Sequence, residues 1–126
     1  MKIDSFYFLF LLTIFQIMTD IEQITKAIID FRNERDWEQF HNPKDLAIAL
    51  NIEAGELLEA FLWKESSAAN HDKIKEELSD VFAYAFLMAD KCGLNVKDIV
   101  LEKIWKNSEK YPVEKSKGNS KKYNEL

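Results

Sequence analysis

The chain has 126 residues, of which 47% are hydrophobic, the size and apolar content of one domain with one core. Three Gly, two Pro and no Asn-Gly or Asp-Gly pair argue against hairpins and for an all-α protein, and a net charge of -5 gives no basic surface for nucleic acid. Cys92 is the only cysteine, which excludes an internal disulfide and a Cys-based zinc cage, and makes the reducing cytoplasm the expected location.

Phe6 to Ile17 is almost wholly apolar and follows Met1-Lys2. It is shorter than the roughly 20 residues a spanning helix needs, and Gln16-Ile17-Met18-Thr19-Asp20 supplies no small-residue cleavage site. A translation start at Met18 is the reading preferred here, with a short interfacial anchor as the alternative. The organisation expected is an apolar N-terminal extension over residues 1–18, an all-α domain over 19–112, and a basic tail over 113–126.

Thr19 or Asp20 can cap a first helix that carries Ile21, Ile24, Ala27, Ile28 and Phe31 and runs to about Trp37. Glu38 to Pro43 reads as a connection, with Asn42 as N-cap and Pro43 in the first helical position, where its missing N–H does no harm. The second helix runs from about Lys44 to Trp63, and a polar stretch from Lys64 to Asn70 follows. The third spans about His71 to Lys91 and is stopped by Gly93. Asn95 caps a fourth, which ends at Tyr111-Pro112 because the residue before proline is pushed out of the helical region. Val113 to Leu126 reads as irregular. Short connections between four helices predict a bundle-like domain. From Val81 to Ala89 every residue is apolar or aromatic, so this helix expects cover on both faces, which a homo-oligomer would provide.

The chemistry lies in two acidic pairs, Glu53-x-x-Glu56 and Glu77-x-x-Asp80. At about 100° per residue, Glu53 falls in the middle of the stripe made by Leu46, Leu50, Leu57 and Ala60, with Glu56 at its edge. Glu77 falls among Ile74, Val81, Tyr84 and Met88, with Asp80 on the same side. Both pairs are therefore expected to point inward, and no Lys or Arg is expected on either inward face. Facing carboxylates raise one another's pKa unless a cation sits between them. Mg2+, a hard oxygen-seeking ion that binds through a few carboxylates together with substrate phosphates, fits that place, and Mn2+ is an acceptable substitute. Glu59, Glu65, Asp72 and Glu76 fall on outward arcs. A di-iron bundle would need two Glu-x-x-His motifs, and the chain offers only Glu38 to His41, ahead of Pro43.

The paired acids, together with Glu34-Arg35-Asp36-Trp37-Glu38-Gln39-Phe40-His41, Glu53-Ala54-Gly55-Glu56-Leu57, Phe61-Leu62-Trp63-Lys64, Glu76-Glu77-Leu78-Ser79-Asp80, Tyr111-Pro112 and Lys122-Tyr123, resemble the MazG-like all-α nucleoside triphosphate pyrophosphatases, in particular their dCTP-hydrolysing branch. The resemblance runs in order through residues 20–126. It implies a tetrameric or dimeric enzyme, the tetramer favoured, that cleaves between the α and β phosphates with Mg2+ in a nucleotide-pool cleansing role. Glu53, Glu56, Glu77 and Asp80 match the family's metal ligands, either Glu53 or Glu56 being the candidate to take a proton from the attacking water. Lys103, Asn107 and Lys110 are implied to face the triphosphate, and Lys115, Ser116, Lys121, Lys122 and Tyr123 to fold over it. Trp37, His41, Trp63 and Tyr84 match positions that line the nucleoside pocket, where flat rings suit stacking on a pyrimidine. The sequence departs at Ile28, where vertebrate-type enzymes tend to carry a histidine near the base. Two rival readings remain: a pyrophosphatase of broad or different base preference, and a membrane-associated helical interaction module without catalysis.

Overall fold

The computed structural model describes residues 4–126; Met1 to Ile3, the leading part of the expected extension, lie outside the described residues. The order is α1 (Ser5–Ile17), α2 (Asp20–Glu34), a 3-10 turn (Glu38–Phe40), α3 (Pro43–Glu59), a second 3-10 turn (Ser66–Ala68), α4 (His71–Lys91), α5 (Val96–Lys110), α6 (Val113–Ser116) and a last 3-10 turn (Tyr123–Glu125). The chain is all-α, as its composition predicts. It divides into two compact units, Met1–Gly93 and Leu94–Leu126.

Caps set the starts. Thr19 accepts from the Glu22 amide while Glu22 reaches back to the Thr19 backbone, a reciprocal capping box that opens α2. Asn42, Asn70 and Asn95 cap α3, α4 and α5 by accepting from first-turn amides through their side chains, with Pro43 in the first turn of α3. Two helices end sooner than apolar periodicity predicts. α2 stops at Glu34 rather than Trp37 because Asp36 takes a φ of 55°, and α3 stops at Glu59 rather than Trp63, which itself sits at φ 59°. Gly93, at φ 65°, turns the chain after α4 as expected. The tail is more ordered than its composition predicts, since α6 and the last 3-10 turn interrupt it.

In the first unit α3 and α4 pack along each other as a hairpin, and α2 lies against α4. Leu46 of α3 is 1% exposed, and Ala60, Leu87 and Ala89 are buried with it. Among the described residues these four make up the fully buried apolar core, while Ile48, Ile52, Phe82 and Ile24 stand exposed. α1 is apolar on all sides, with Phe6, Phe8 and Leu9 exposed. Its 13 residues extend about 20 Å, and among the described residues no helix is long and apolar enough to cross a membrane.

Candidate active site

The α3–α4 hairpin brings the acidic pairs together. Glu53, Glu56 and Glu77 each place a carboxylate oxygen within 4.8 Å of the others. The helix-wheel reading holds for the centre of each stripe: Glu53 is half-buried between Leu50 and Leu57, and Glu77 is only 5% exposed. It holds less well for the edges, because Glu56 and Asp80 lie a further part-turn around their helices and are exposed at the rim. Glu59, Glu65, Asp72 and Glu76 are exposed, as expected.

One expectation is corrected. A cation does lie on the inward face: the Lys73 ammonium, one helical turn before Glu77, hydrogen-bonds and ion-pairs with its carboxylate. The spacing of four residues puts the two on the same face of α4, so a buried carboxylate finds its counter-charge on its own helix. The hydrogen bond to Glu77 raises the Lys73 pKa above the usual lysine value. One lysine does not neutralise the cluster. Burial raises the Glu53 pKa above the ordinary glutamate value, and the charges of Glu56, Asp80 and Glu77 push it the same way, against the opposing pull of Lys73. Three converging carboxylates, one of them disfavoured in its charged form, make a donor set suited to a hard divalent cation.

Asp80 also lines a cavity of about 210 Å³ between α2 and α4, walled by Phe31, Trp37, Tyr84 and His41, with Ile28 and Leu87 at its apolar base. Acidic cluster and aromatic cavity are thus neighbours. The walls are braced by ring contacts: Phe31 meets Trp37 edge-on at 5.8 Å, and His41 meets Tyr84 at 6.4 Å. Arg35 stacks its guanidinium 3.6 Å from the centre of the Phe31 ring and donates to the Phe31 carbonyl, which fixes that wall. Burial raises the Tyr84 pKa, with the charges of Glu53 and Asp80 adding to it, so its phenol stays protonated beside the acids. Burial lowers the His41 pKa below the usual histidine value, and the Arg32 and Lys91 charges lower it further. Its ring is therefore neutral near pH 7, and its buried Nδ1 has no hydrogen-bond partner among the described residues.

Of the residues proposed for the nucleoside, the structure brings Trp37, His41 and Tyr84 together and leaves Trp63 elsewhere, 94% exposed in the turn after α3. Within the second unit the tail folds back on the end of α5: Lys110 Nζ lies 5.3 Å from the centre of the Tyr123 ring, which also meets Tyr111 edge-on at 6.1 Å. Asn107 is half-buried, whereas Lys103 and Lys122 are exposed.

Sequence reasoning missed Arg32. It is the buried cation of the cavity, 5% exposed, donating from Nε and Nη2 to Asn33 Oδ1 and lying 4.0 Å from Glu38. The signal was present, for Arg32 stands one turn after Ile28 on the apolar stripe of α2, where a core residue is expected.

The MazG-like family model matches residues 48–126, which include both acidic pairs. Mouse dCTP pyrophosphatase 1 is 38% identical over 114 residues, covering 84% of this chain and 67% of its own. The human dCTP pyrophosphatase 1 is 39% identical over the same length and the same shares. A crystal structure of a pyrophosphatase from Archaeoglobus fulgidus superposes with a TM-score of 0.71 at 33% identity, over 75% of this chain and 94% of that one.

Proposed function

Because this chain belongs to the MazG-like family and is a nucleoside triphosphate pyrophosphohydrolase, we propose that its substrate is dCTP or a modified pyrimidine deoxynucleotide, split to the monophosphate and pyrophosphate with Mg2+. The observation that carries the reading is the adjacency of two sites of opposite character. Glu53, Glu56 and Glu77 converge on one point, and Asp80 belongs both to their face of α4 and to the lining of the aromatic cavity. A triphosphate with its base between Trp37 and Tyr84 has its phosphates toward the acids, and a divalent ion makes that approach of like charges tolerable.

Glu53, Glu56, Glu77 and Asp80 would hold Mg2+, which supplies neutralisation of the triphosphate and alignment of an attacking water in line with the α-phosphorus. The protein's own part is positioning. Burial of Glu77 and the Leu46–Ala60 stripe fix the carboxylates on two packed helices rather than on loops. Trp37 and Tyr84 present ring faces to the base, and Lys103, Asn107, Lys110, Lys122 and Tyr123 are assigned to the polyphosphate. The exposed Ile48, Ile52 and Phe82 support a homo-oligomer, with a tetramer favoured.

Incubation of the purified protein with dCTP and Mg2+ tests the reading. Pyrophosphate and dCMP are expected in equal amounts; orthophosphate as the sole inorganic product overturns cleavage between the α and β phosphates.

A further inference from the structure

Arg32 is the buried cation of the cavity, and aromatic stacking does not use it. A guanidinium carries five N–H donors and no acceptor, and it is costly to bury without partners. Here it is 5% exposed, yet among the described residues its hydrogen bonds go to a single atom: Nε and Nη2 both donate to Asn33 Oδ1, at 3.1 Å and 3.0 Å. The nearest carboxylate oxygen, Glu38 Oε1, lies 4.0 Å from Nη2, beyond hydrogen-bond reach, and is shared with Lys91 at 3.6 Å. Asn33 thus holds the side edge of the guanidinium and fixes its plane. The end edge, formed by Nη1 and the outer hydrogen of Nη2, keeps two parallel donors. Arg32 lines the same cavity as Trp37, His41, Asp80 and Tyr84, and a volume of about 210 Å³ suits one ring of a ligand rather than a whole nucleotide.

We propose that Arg32 is a specificity-determining residue, whose end edge pairs with two adjacent acceptors on the base and so selects cytosine. This rests on the reading that the cavity holds the base. A planar fork of donors needs two acceptors side by side, the match that arginine makes with O6 and N7 of guanine. Cytosine offers such a pair in N3 and O2. Uracil and thymine carry a hydrogen on N3, so the same approach sets donor against donor and leaves a buried guanidinium unpaired. Positions 4 and 5 of the ring stay outside the fork, so substituents there are not read by Arg32.

Titration calorimetry of the full chain in Mg2+ with dCMP, dUMP and 3-deaza-dCMP tests this without turnover. The fork predicts dCMP binding at least about tenfold tighter than either of the others, the scale of one bidentate pair. Arg32→Met and Arg32→Lys should both level the three ligands. Lysine keeps the charge but is a point donor, so retained selectivity in the folded Lys variant would show that only charge matters and overturn the proposal. Equal binding of dCMP and 3-deaza-dCMP by the unsubstituted protein also overturns it, whether or not either variant folds. Selective dCMP binding without pyrophosphate release from dCTP would sink the hydrolase reading and leave the fork standing. Hydrolysis of all pyrimidine triphosphates with no base preference in binding would do the reverse.

Discussion

His41 and Tyr84 meet edge to face, with ring centroids 6.4 Å apart and planes at 65°, and this contact joins the turn after α2 to the acidic face of α4. Tyr84 lies one turn after Asp80 on the same helix, so the residue that touches the His41 wall of the cavity also stands beside the carboxylates. The two halves of the site are set by one helix, and a change at either end is felt by the other.

Acid should weaken nucleotide binding through His41. Its pKa is lowered in the folded chain, chiefly by burial, so the folded state binds fewer protons there than the unfolded state. Stability and pocket are intact above about pH 6.5, the ordinary histidine value, and decline as pH falls through the lowered value. KM for dCTP is expected to rise over that range more than kcat falls. His41→Asn removes the titrating ring, and an acid limb in KM that survives in this variant would clear His41 of the effect.

Divalent metal should stabilise the fold through the acidic cluster. Ligand at a hundred times its dissociation constant adds about 2.7 kcal/mol to unfolding free energy, a readily measured rise in Tm. Glu53→Gln is expected to lose most of that rise and at least about thirtyfold in turnover, given about 2 kcal/mol or more for a lost charged contact. The raised Glu53 pKa means that its ionised form is disfavoured by folding, so without metal the variant should melt no lower than the parent at pH 7. An undiminished metal-induced rise in Tm for Glu53→Gln would remove Glu53 from the ligand set.

Lys73 should compete with a divalent metal for Glu77. Its ammonium pairs with a carboxylate that is 6% exposed, inside the cluster where a divalent ion is expected. Replacing it with Met removes a like charge from the ion's surroundings, so Mg2+ or Mn2+ alone should bind tighter, by a few-fold at most because the lysine is exposed and solvent-screened. Calorimetric titration of metal in the absence of nucleotide measures this. Weaker metal binding by Lys73→Met would mean that the lysine supports the site rather than shielding it.

The fold was legible wherever one rule governed. Asn42, Asn70 and Asn95 cap helices because their short side chains satisfy the first amides, and the inward stripe of α3 follows from helical geometry alone. What escaped depended on backbone choices that apolar spacing does not report. Asp36 and Trp63 turn left-handed and end two helices early, and a bulky residue is a poor sequence signal for that conformation. In the site, periodicity places Glu53 and Glu77, whereas Lys73 and Arg32 are cations that an apolar-stripe reading does not mark. Both stand one turn from an inward residue, Glu77 and Ile28; Arg32 is buried by packing around that face, and Lys73, itself exposed, reaches the buried Glu77 carboxylate. Trp63, matched to the pocket by resemblance, lies away from it in the single chain.

Phe82 should control self-association. It is 54% exposed near the start of the all-apolar run of α4, its ring stacked on Phe86 at 6.2 Å, beside an apolar groove of about 400 Å³ lined by Ile24, Ile28 and Ala83. α3 and α2 pack against α4, and Phe82 stays exposed at the edge of the α2 contact, where a second copy would cover it. Burying a phenylalanine is worth roughly 1.5–3 kcal/mol, so Phe82→Glu should weaken association by about ten- to a hundredfold or more, since it also buries a charge. Light scattering across a dilution series reads the change as a fall in mass, while circular dichroism should report unchanged helix content because Leu46 and Leu87 lie on other faces. A parent protein that is monomeric at tens of micromolar would sink the prediction, as would a Phe82→Glu variant that keeps the parent's mass at every concentration.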